Sequence, residues 1–143
     1  MSEWMVDTQE IRLETSGGVE IHDVTPRVAE MVRQAGLRDG VVVVHVPGST
    51  GAMTTIEHES GLLEDLAGIL EQLVPTDRRY AHNARWGDGN GHSHVRASLI
   101  GPSISIPVSE GRLLLGTWQQ AVFVELDNRP RSRGLVVQLV GGR

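Results

Sequence analysis

The sequence predicts an α+β protein with a largely antiparallel β-sheet and two main helices, in a single domain spanning residues 1–143. Short apolar runs separated by brief turns recur along the chain, which is typical of antiparallel strands. Only two segments show the 3.6-residue period of a helix that buries one face. A chain of 143 residues is also long enough to bury a hydrophobic core without disulfides or structural metals.

The first quarter of the chain predicts a hairpin followed by a helix. Residues 4–15 and 19–24 both have strand character, and the Ser-Gly-Gly of residues 16–18 is a turn signal between them. Thr25 followed by Pro26 is a typical helix start. Gly36 predicts the end of this first helix.

The next segment predicts two strands and the second helix. The β-branched run VVVVHV at residues 41–46 is typical of a central strand buried on both faces, and residues 52–56 read as another strand. A second helix is predicted from Gly61 to Leu73, closed by Pro75. Its predicted inward positions are Leu62, Leu66, Ile69, Leu70 and Leu73.

The C-terminal half predicts mainly strands. The predicted segments are residues 93–100, 103–108, 112–126 and 135–140. Within the third of them, residues 121–126 are apolar on both faces, so we expect cover on both sides of that strand.

Composition excludes several classes of function. A net charge of −5 argues against a nucleic-acid surface, which needs a basic stripe to neutralise phosphates. Without cysteine, the chain has no disulfide, thiolate ligand or cysteine nucleophile. The first residues lack the pattern of a signal peptide, and no apolar run approaches a membrane span. We therefore expect a cytoplasmic protein with no membrane partner.

Three histidines in one short stretch form the best candidate for a reaction centre. His92 and His94 have the spacing that places both on one face of a strand, and the glycine-rich loop after His82 permits that imidazole to fold back towards them. Three imidazoles with an open fourth position suit a divalent metal such as zinc. Ordinary surface or hydrogen-bonded histidines are the alternative.

Charged residues elsewhere suggest further chemistry. Glu125 lies within an apolar run, so we expect it to be buried with a hydrogen-bonding or cationic partner, whether as a base, a substrate anchor or a structural pair with an arginine. Arginines alternate at positions 129, 131 and 133, where they suit phosphate oxygens or simply form a basic loop. Ser49 and Thr50 lie in a small-residue turn that can form an anion-binding nest. Glu57 and Glu59 share a face after a strand, as acid–base groups or as a solvated loop.

Several separate motifs, read in order, resemble those of the YjbQ family. They are VPGSTGAMTTIE, LLEDL, YAHN, HSHVRASLIGPSISIPV and GRLLLGTWQQAVFVELD, and the likeness runs from about Val41 to the C-terminus. The resemblance implies a small α+β domain that assembles as a trimer. Members are uncharacterised or are described as secondary thiamine-phosphate synthases, which join a pyrimidine diphosphate to a thiazole phosphate.

The resemblance also implies site residues. Glu57, Asp65, Gln119, Glu125 and Arg133 match polar positions of the family, and His82 and His94 match two of its histidines. A third histidine of many members corresponds to Gly48 here, so His92 or His45 would have to replace it. We therefore expect catalysis by Glu57, Asp65, His82, His94 and Glu125, and substrate or cofactor binding by Ser49, Thr50, Gln119 and Arg133. A divalent ion, zinc or magnesium, is expected on His82, His92 and His94. The alternative is a non-enzymatic oligomer that holds a metal or an anion.

Overall fold

The structure is a computed structural model that describes residues 3–143, and it has eight strands and four helices in that range. The strands are β1 (Trp4–Thr15), β2 (Glu20–Asp23), β3 (Asp39–His45), β4 (Gly51–Ile56), β5 (Ser103–Ser109), β6 (Arg112–Leu113), β7 (Gln120–Glu125) and β8 (Arg131–Gly142). The helices are α1 (Thr25–Ala35), α2 (Ser60–Leu73), α3 (Ala81–Trp86) and α4 (Gly91–Ile100). The predicted α+β class and the antiparallel pairing are both confirmed.

The strands form two antiparallel sheets. The larger has the order β1-β8-β3-β5-β6, and the smaller has the order β2-β7-β4. Their facing sides share one core with α1, in which Val42, Phe123 and Leu139 are completely buried. The second face of the smaller sheet packs against α2 and α4, through residues such as Val124 and Ala97. The molecule therefore has three layers, with the smaller sheet in the middle.

This layering explains why residues 121–126 are apolar on both faces, as the sequence predicted. β7 is the central strand of the middle layer, and every residue from Ala121 to Leu126 is buried. β3 behaves differently although it is also a central strand, because Val42 and Val44 are buried while Val41 and Val43 are only partly covered. Within a single chain, residues 41–46 are therefore buried on one face and only partly covered on the other.

The predicted N-terminal hairpin was also wrong. The two strands exist, but β1 pairs with β8 in the larger sheet while β2 pairs with β7 in the smaller one. Gly17 and Gly18 have positive φ angles of 98° and 81°, so the turn signal was real. The turn moves the chain from one sheet to the other instead of folding it back on itself.

Residues 91–100 form a helix, where a strand was predicted. The buried positions of α4 include His92, Ser93, Arg96 and Ala97, which recur at the spacing of a helix. Polar residues occupy most of these buried positions, while the apolar Val95 and Leu99 are exposed. The helical period is therefore absent from the pattern of hydrophobic residues. For this reason α4 was not predicted as a helix, and the expected number of two main helices was too low.

The first two helices fall close to their predicted bounds. In α1, Val28 and Val32 are buried as expected. In α2, of the five positions predicted to face inward only Leu70 is buried, and Leu73 is 65% exposed. The Glu59 carboxylate caps this helix by accepting hydrogen bonds from the backbone N–H groups of Gly61 and Leu62. None of the helices within residues 3–143 is long and apolar enough to cross a membrane.

Candidate functional site

One polar cavity collects most of the chemically active side chains. It has a volume of about 430 Å³ and lies where the loop between β3 and β4, the start of β8 and the helices α3 and α4 meet. Its lining residues are Ser49, Thr50, His82, Trp86, Asp88, Asn90, His94, Arg131 and Arg133. The cavity is therefore built from residues that are far apart in the sequence.

The first wall depends on Glu125, whose side chain is completely buried. Its Oε2 accepts hydrogen bonds from Arg133 Nε at 2.7 Å and from the Thr15 hydroxyl at 2.8 Å, while its Oε1 accepts from the backbone N–H groups of Leu126 and Asp127. The predicted burial of Glu125 with a cationic partner is confirmed. Because its oxygens are bonded within the protein, this carboxylate serves to hold Arg133 against the cavity.

Asp127 has the same function for the neighbouring arginine. It is completely buried and accepts hydrogen bonds from Arg131 Nε at 2.7 Å, from the Thr50 hydroxyl at 3.0 Å and from the Asn128 backbone N–H at 2.8 Å. Burial by itself would raise the pKa of this carboxyl, but these hydrogen bonds outweigh burial and hold the pKa below its ordinary value. Asp127 is therefore ionised at neutral pH.

Both guanidinium groups keep donors for a ligand. Arg133 Nη2 also donates to the Thr50 hydroxyl at 2.9 Å, but its Nη1 makes no hydrogen bond to another part of the described chain. Arg131 likewise uses Nε and Nη2 on Asp127. Gly48 makes room for this arrangement, because a Cβ atom at that position would lie 3.3 Å from Arg133 Nη1. An oxyanion is the ligand that two such donors favour.

The second wall carries a pair of histidines. His82 on α3 and His94 on α4 lie against each other, with ring centroids 4.3 Å apart and ring planes tilted by 38°. Burial is the main cause that lowers the pKa of His94, and the positive charge of a protonated His82 lowers it further. His94 is therefore neutral at pH 7, which is the form that binds metals or accepts a proton.

His92 does not join this pair. It lies two residues before His94 on a helix, and that spacing turns its side chain to the other side of α4, where it packs beside Tyr80 with ring centroids 6.3 Å apart. It is 5% exposed, and burial followed by the charge of Arg96 lowers its pKa. The expectation that three histidines converge was wrong, because it assumed a strand.

The loop between the two helices adds Asp88 and Asn90 to the second wall. Asp88 Oδ1 lies 3.8 Å from His82 Nδ1, and Asp88 Oδ2 lies 3.9 Å from Arg129. Asn90 is buried, and its side-chain amide lies between Asp127 and Asp88, so it connects the two walls. His82 Nδ1 is buried without a hydrogen-bond partner within residues 3–143.

The other predicted site residues lie elsewhere or at the edge. Ser49 and Thr50 line the cavity as expected. Glu57 and Asp65 are exposed and do not line it. Gln119 lines a separate cavity of about 250 Å³ with Thr55, to whose hydroxyl it donates a hydrogen bond at 3.0 Å. The structure therefore does not bring these three residues into the histidine cavity of their own chain.

Sequence reasoning missed part of the site. Asp127, Asp88, Asn90 and Trp86 were not expected there, and Arg131 was considered only as one of three alternating arginines. A signal for Asp127 did exist, because Glu125 at the end of an apolar run is followed two residues later by Asp127, and Arg131 and Arg133 come next with the same spacing. For Asn90 no comparable signal exists.

Comparison with known proteins now identifies the family. Residues 9–142 match the family model described as UPF0047 protein YjbQ-like. The chain belongs to this family. It is 44% identical over 136 residues to a UPF0047 protein of Methanothermobacter thermautotrophicus, which covers 95% of this chain and 93% of the relative. A UPF0047 protein of Archaeoglobus fulgidus is 42% identical over 129 residues, covering 90% of this chain and 98% of that protein.

Solved structures of similar proteins have the same fold. A YjbQ-like protein of unknown function from Sulfolobus solfataricus superposes with a TM-score of 0.92 at 33% identity, covering 97% of this chain and 99% of the other. A hypothetical protein from Aeropyrum pernix gives a TM-score of 0.87 at 36% identity, covering 96% and 99%. The descriptions of these relatives name no substrate.

Proposed function

We propose that this chain is a metal-dependent enzyme of small phosphorylated metabolites, with weak thiamine-phosphate synthase activity as the reaction to test. One observation carries the proposal. A histidine pair, His82 and His94, faces two carboxylate-anchored guanidinium groups, Arg131 and Arg133, across one cavity. Imidazoles suit a divalent ion and guanidinium groups suit phosphate oxygens, so a phosphorylated ligand and a metal fit the same space.

The arginine wall supports phosphate binding in particular. Arg131 and Arg133 each donate two of their nitrogens to a buried carboxylate, which fixes the planes of both guanidinium groups before a ligand arrives. The Thr50 hydroxyl is held between Asp127 and Arg133. A ligand phosphate therefore meets donors that lose little conformational entropy on binding. This is the arrangement expected of a specific phosphate site.

The histidine wall supports metal binding. His82 Nδ1 is buried without a hydrogen-bond partner in the described chain, and His94 is held neutral by burial. Both features favour a metal ligand, because an imidazole binds a metal only through an unprotonated nitrogen. When bound, the metal supplies positive charge that stabilises a departing diphosphate. His82 and His94 are the ligands that this wall offers, because no three His, Asp or Glu side chains within residues 3–143 are arranged to hold a metal.

The reaction to be tested is a transfer of the pyrimidine group. The thiazole nitrogen attacks the methylene carbon of the pyrimidine diphosphate, a C–N bond forms, and the C–O bond to the diphosphate breaks to release pyrophosphate. Arg131 and Arg133 stabilise the negative charge that develops on the leaving group. The test is the formation of thiamine phosphate by purified, zinc- or magnesium-loaded protein. We expect product from the wild type and only background from His94→Ala.

The second candidate is a non-enzymatic oligomer that holds a metal or an anion in the same cavity. It is favoured by the positions of Glu57 and Asp65, two of the expected acid–base residues, which do not line the cavity. The same assay separates the two candidates. Metal binding by the wild type without product above the His94→Ala background supports the binding protein and rejects the enzyme.

We further propose that the chain assembles as a homotrimer. Large apolar side chains are exposed beside the cavity, among them Trp86 on α3 and Val95 and Leu99 on α4. The neighbouring helix α2 exposes Leu73 as well, and Arg96 joins the two helices through Glu71. Exposed apolar surface of this kind is typical of an interface. A partner subunit would cover it, and would place the cavity near a subunit boundary.

Sedimentation equilibrium tests this assembly. We expect a mass three times the 15.6 kDa of one chain. Leu99→Glu should shift the mass towards the monomer, because a carboxylate would be buried in the interface without a partner. Glu64→Gln, at an exposed position of α2, is the matched control and should leave the mass unchanged. A monomeric wild type at micromolar concentration would contradict the proposal.

A further inference from the structure

We infer that the phosphorylated ligand of this chain carries one compact, uncharged group the size of a single ring, and that this group lies in a smaller cavity beside the arginine wall. The inference rests on the phosphate binding proposed above, because it names the class of phosphorylated molecule that the same site takes. The smaller cavity, here called the side cavity, has a volume of about 190 Å³. Its lining residues are Gly48, Ser49, Gly51, Ala97, Ser98 and Pro102.

Two contacts join the side cavity to the main cavity between the arginine and histidine walls. Ser49 lines both cavities. Gly48 lines the side cavity, and a Cβ atom at this position would lie 3.3 Å from Arg133 Nη1. This Nη1 is the nitrogen of Arg133 that makes no hydrogen bond to another part of the described chain. A phosphate held by this donor therefore lies where the two cavities meet.

Helix α4 runs along both cavities. His94 lines the main cavity, and Ser98, four residues later on the same face of the helix, lines the side cavity. The Ser98 hydroxyl donates to the His94 carbonyl at 2.8 Å, so its hydrogen atom is used within the helix. A ligand that lies along this face of α4 can therefore occupy both cavities at once.

The residues of the side cavity determine which chemical group it favours. None of its six lining residues has a charged side chain, and its buried members are Gly51 and Ala97. A charged group would lose hydration there without gaining a partner of opposite charge. Burial instead favours a group with mainly apolar surface. The main cavity therefore suits the phosphate, and the side cavity suits the uncharged remainder of the ligand.

The volume of the side cavity limits the size of that group. In liquid water one molecule occupies about 30 Å³, so a cavity of about 190 Å³ has room for about six water molecules, which is about the size of one small ring. A phosphate ester with a single ring next to the phosphate fits this space. A nucleotide, which has both a base and a sugar, is too large to be enclosed.

The test is a nuclear magnetic resonance titration of the full-length protein with inorganic phosphate, phenyl phosphate and para-carboxyphenyl phosphate. We expect phenyl phosphate to bind about tenfold or more tightly than inorganic phosphate, because its ring is buried. The para-carboxyphenyl compound should lose this advantage, because it brings a charge to the uncharged cavity. Phenyl phosphate should also shift the amide resonances of Gly48 and Gly51, which line the side cavity and not the main one.

A pair of variants tests the position of the ring. Ser98→Phe should fill the side cavity from an exposed position of α4, so that phenyl phosphate binds only as tightly as inorganic phosphate. Its affinity for inorganic phosphate should stay that of the wild type. Leu99→Phe is the matched control, because it places the same ring at the next residue of α4, which is exposed and lines neither cavity, and it should keep the preference for phenyl phosphate. Circular dichroism confirms that both variants are folded.

The outcomes distinguish the inference from the proposed function. If inorganic phosphate binds but phenyl phosphate binds no more tightly, or if Ser98→Phe keeps the preference of the wild type, the phosphate site stands and the inference is overturned. Equal affinities for the two aromatic phosphates would overturn it as well, because the side cavity would then accept a charge. If the folded wild type binds none of the three compounds, the proposed phosphate binding fails together with the inference.

Discussion

The two walls of the cavity differ in how completely their polar groups are paired. In the arginine wall, Glu125 and Asp127 are completely buried, and each carboxylate accepts several hydrogen bonds from side chains and backbone. In the histidine wall, His82 Nδ1 has no hydrogen-bond partner in the described chain, and it lies 3.8 Å from the Asp88 carboxylate. The carboxylates of the arginine wall are fully paired without a ligand. The histidine wall still has a buried nitrogen atom without a hydrogen-bond partner in the described chain.

The difference shows how the cavity divides stability from binding. A carboxylate that is fully paired contributes to the folded state and fixes its arginine, but has no oxygen left for a ligand. Groups that lack partners destabilise the free protein and become favourable only when a ligand satisfies them. We therefore expect mutations in the arginine wall to act mainly on stability, and mutations in the histidine wall to act mainly on metal binding.

The largest expected effect is that of Glu125→Ala. Removal of this carboxylate leaves the nearly buried guanidinium of Arg133 without its partner, which should lower the free energy of unfolding by about 3–5 kcal/mol. Urea denaturation measures the change. Glu10→Ala is the matched control, because the pair of Glu10 with Arg12 is exposed and should contribute at most about 1 kcal/mol. Equal effects of the two substitutions would contradict the assigned role of Glu125.

Zinc should produce the next largest effect, through the histidine wall. At a free concentration one hundred times the dissociation constant, a ligand that binds only the folded state stabilises it by about 2.7 kcal/mol. Thermal or urea unfolding with and without a chelator measures this difference. In His94→Ala the difference should disappear, whereas a stabilisation of the same size in that variant would remove His94 from the metal site.

Asp127→Asn should have a smaller effect on stability, of about 1–3 kcal/mol at neutral pH, because an amide nitrogen then faces donors from Thr50 or Arg131. The effect should depend on pH. The pKa of Asp127 is lower in the folded chain than its ordinary value of 3.8, so the unfolded chain takes up the proton first as the pH falls. The stabilisation is thus present above pH 3.8 and is lost below it.

Urea midpoints measured between pH 7 and pH 3 test this dependence. The difference between the wild type and Asp127→Asn should shrink as the pH falls through the folded-state pKa of Asp127. If the difference in urea midpoint stays constant down to pH 3, the charge of the Asp127 carboxylate is not what stabilises the arginine wall.

The smallest expected effect is that of Asp88→Asn on the metal-free protein. Its contacts with His82 and Arg129 are long, at 3.8 Å and 3.9 Å, and partly exposed, so their loss should change the unfolding free energy by less than about 1 kcal/mol. Denaturation in the presence of a chelator measures it. If Asp88→Asn lowered the free energy of unfolding as much as Glu125→Ala does, the two walls would contribute equally to stability and the distinction between them would fail.

Local sequence signals predicted much of the secondary structure. The observed strands and the helices α1 and α2 fall within or close to segments predicted from their apolar patterns, although β6 and β7 were predicted as one continuous segment. The apolar run around Glu125 also predicted that this carboxylate would be buried and paired, because an unpaired charge in such a place costs too much free energy. The secondary structure of these segments and the burial of Glu125 both depend mainly on a residue and its immediate neighbours in the sequence.

The tertiary structure, and not the hydrophobic pattern, decided which residues of α4 are buried. This in turn decided which residues line the site. Its buried positions carry His92, Ser93 and Arg96, so hydrophobic periodicity gave no helical signal there. The segment packs as a helix because Ala97 contacts the middle sheet and Arg96 donates to Glu71 on α2 and to the Val74 carbonyl just after it. The change from strand to helix separates His92 from His94.

The sequence by itself determined the fold class, the family and the presence of His82, His94, Glu125 and Arg133, because each follows from a local pattern or a motif. Only the tertiary structure decided that Asp127 and Arg131 form a second anchored pair and that Asp88 and Asn90 lie beside His82. The physical reason is that these contacts join a loop, two strands and two helices. The distances between such elements depend on how the layers pack, which no short stretch of sequence encodes.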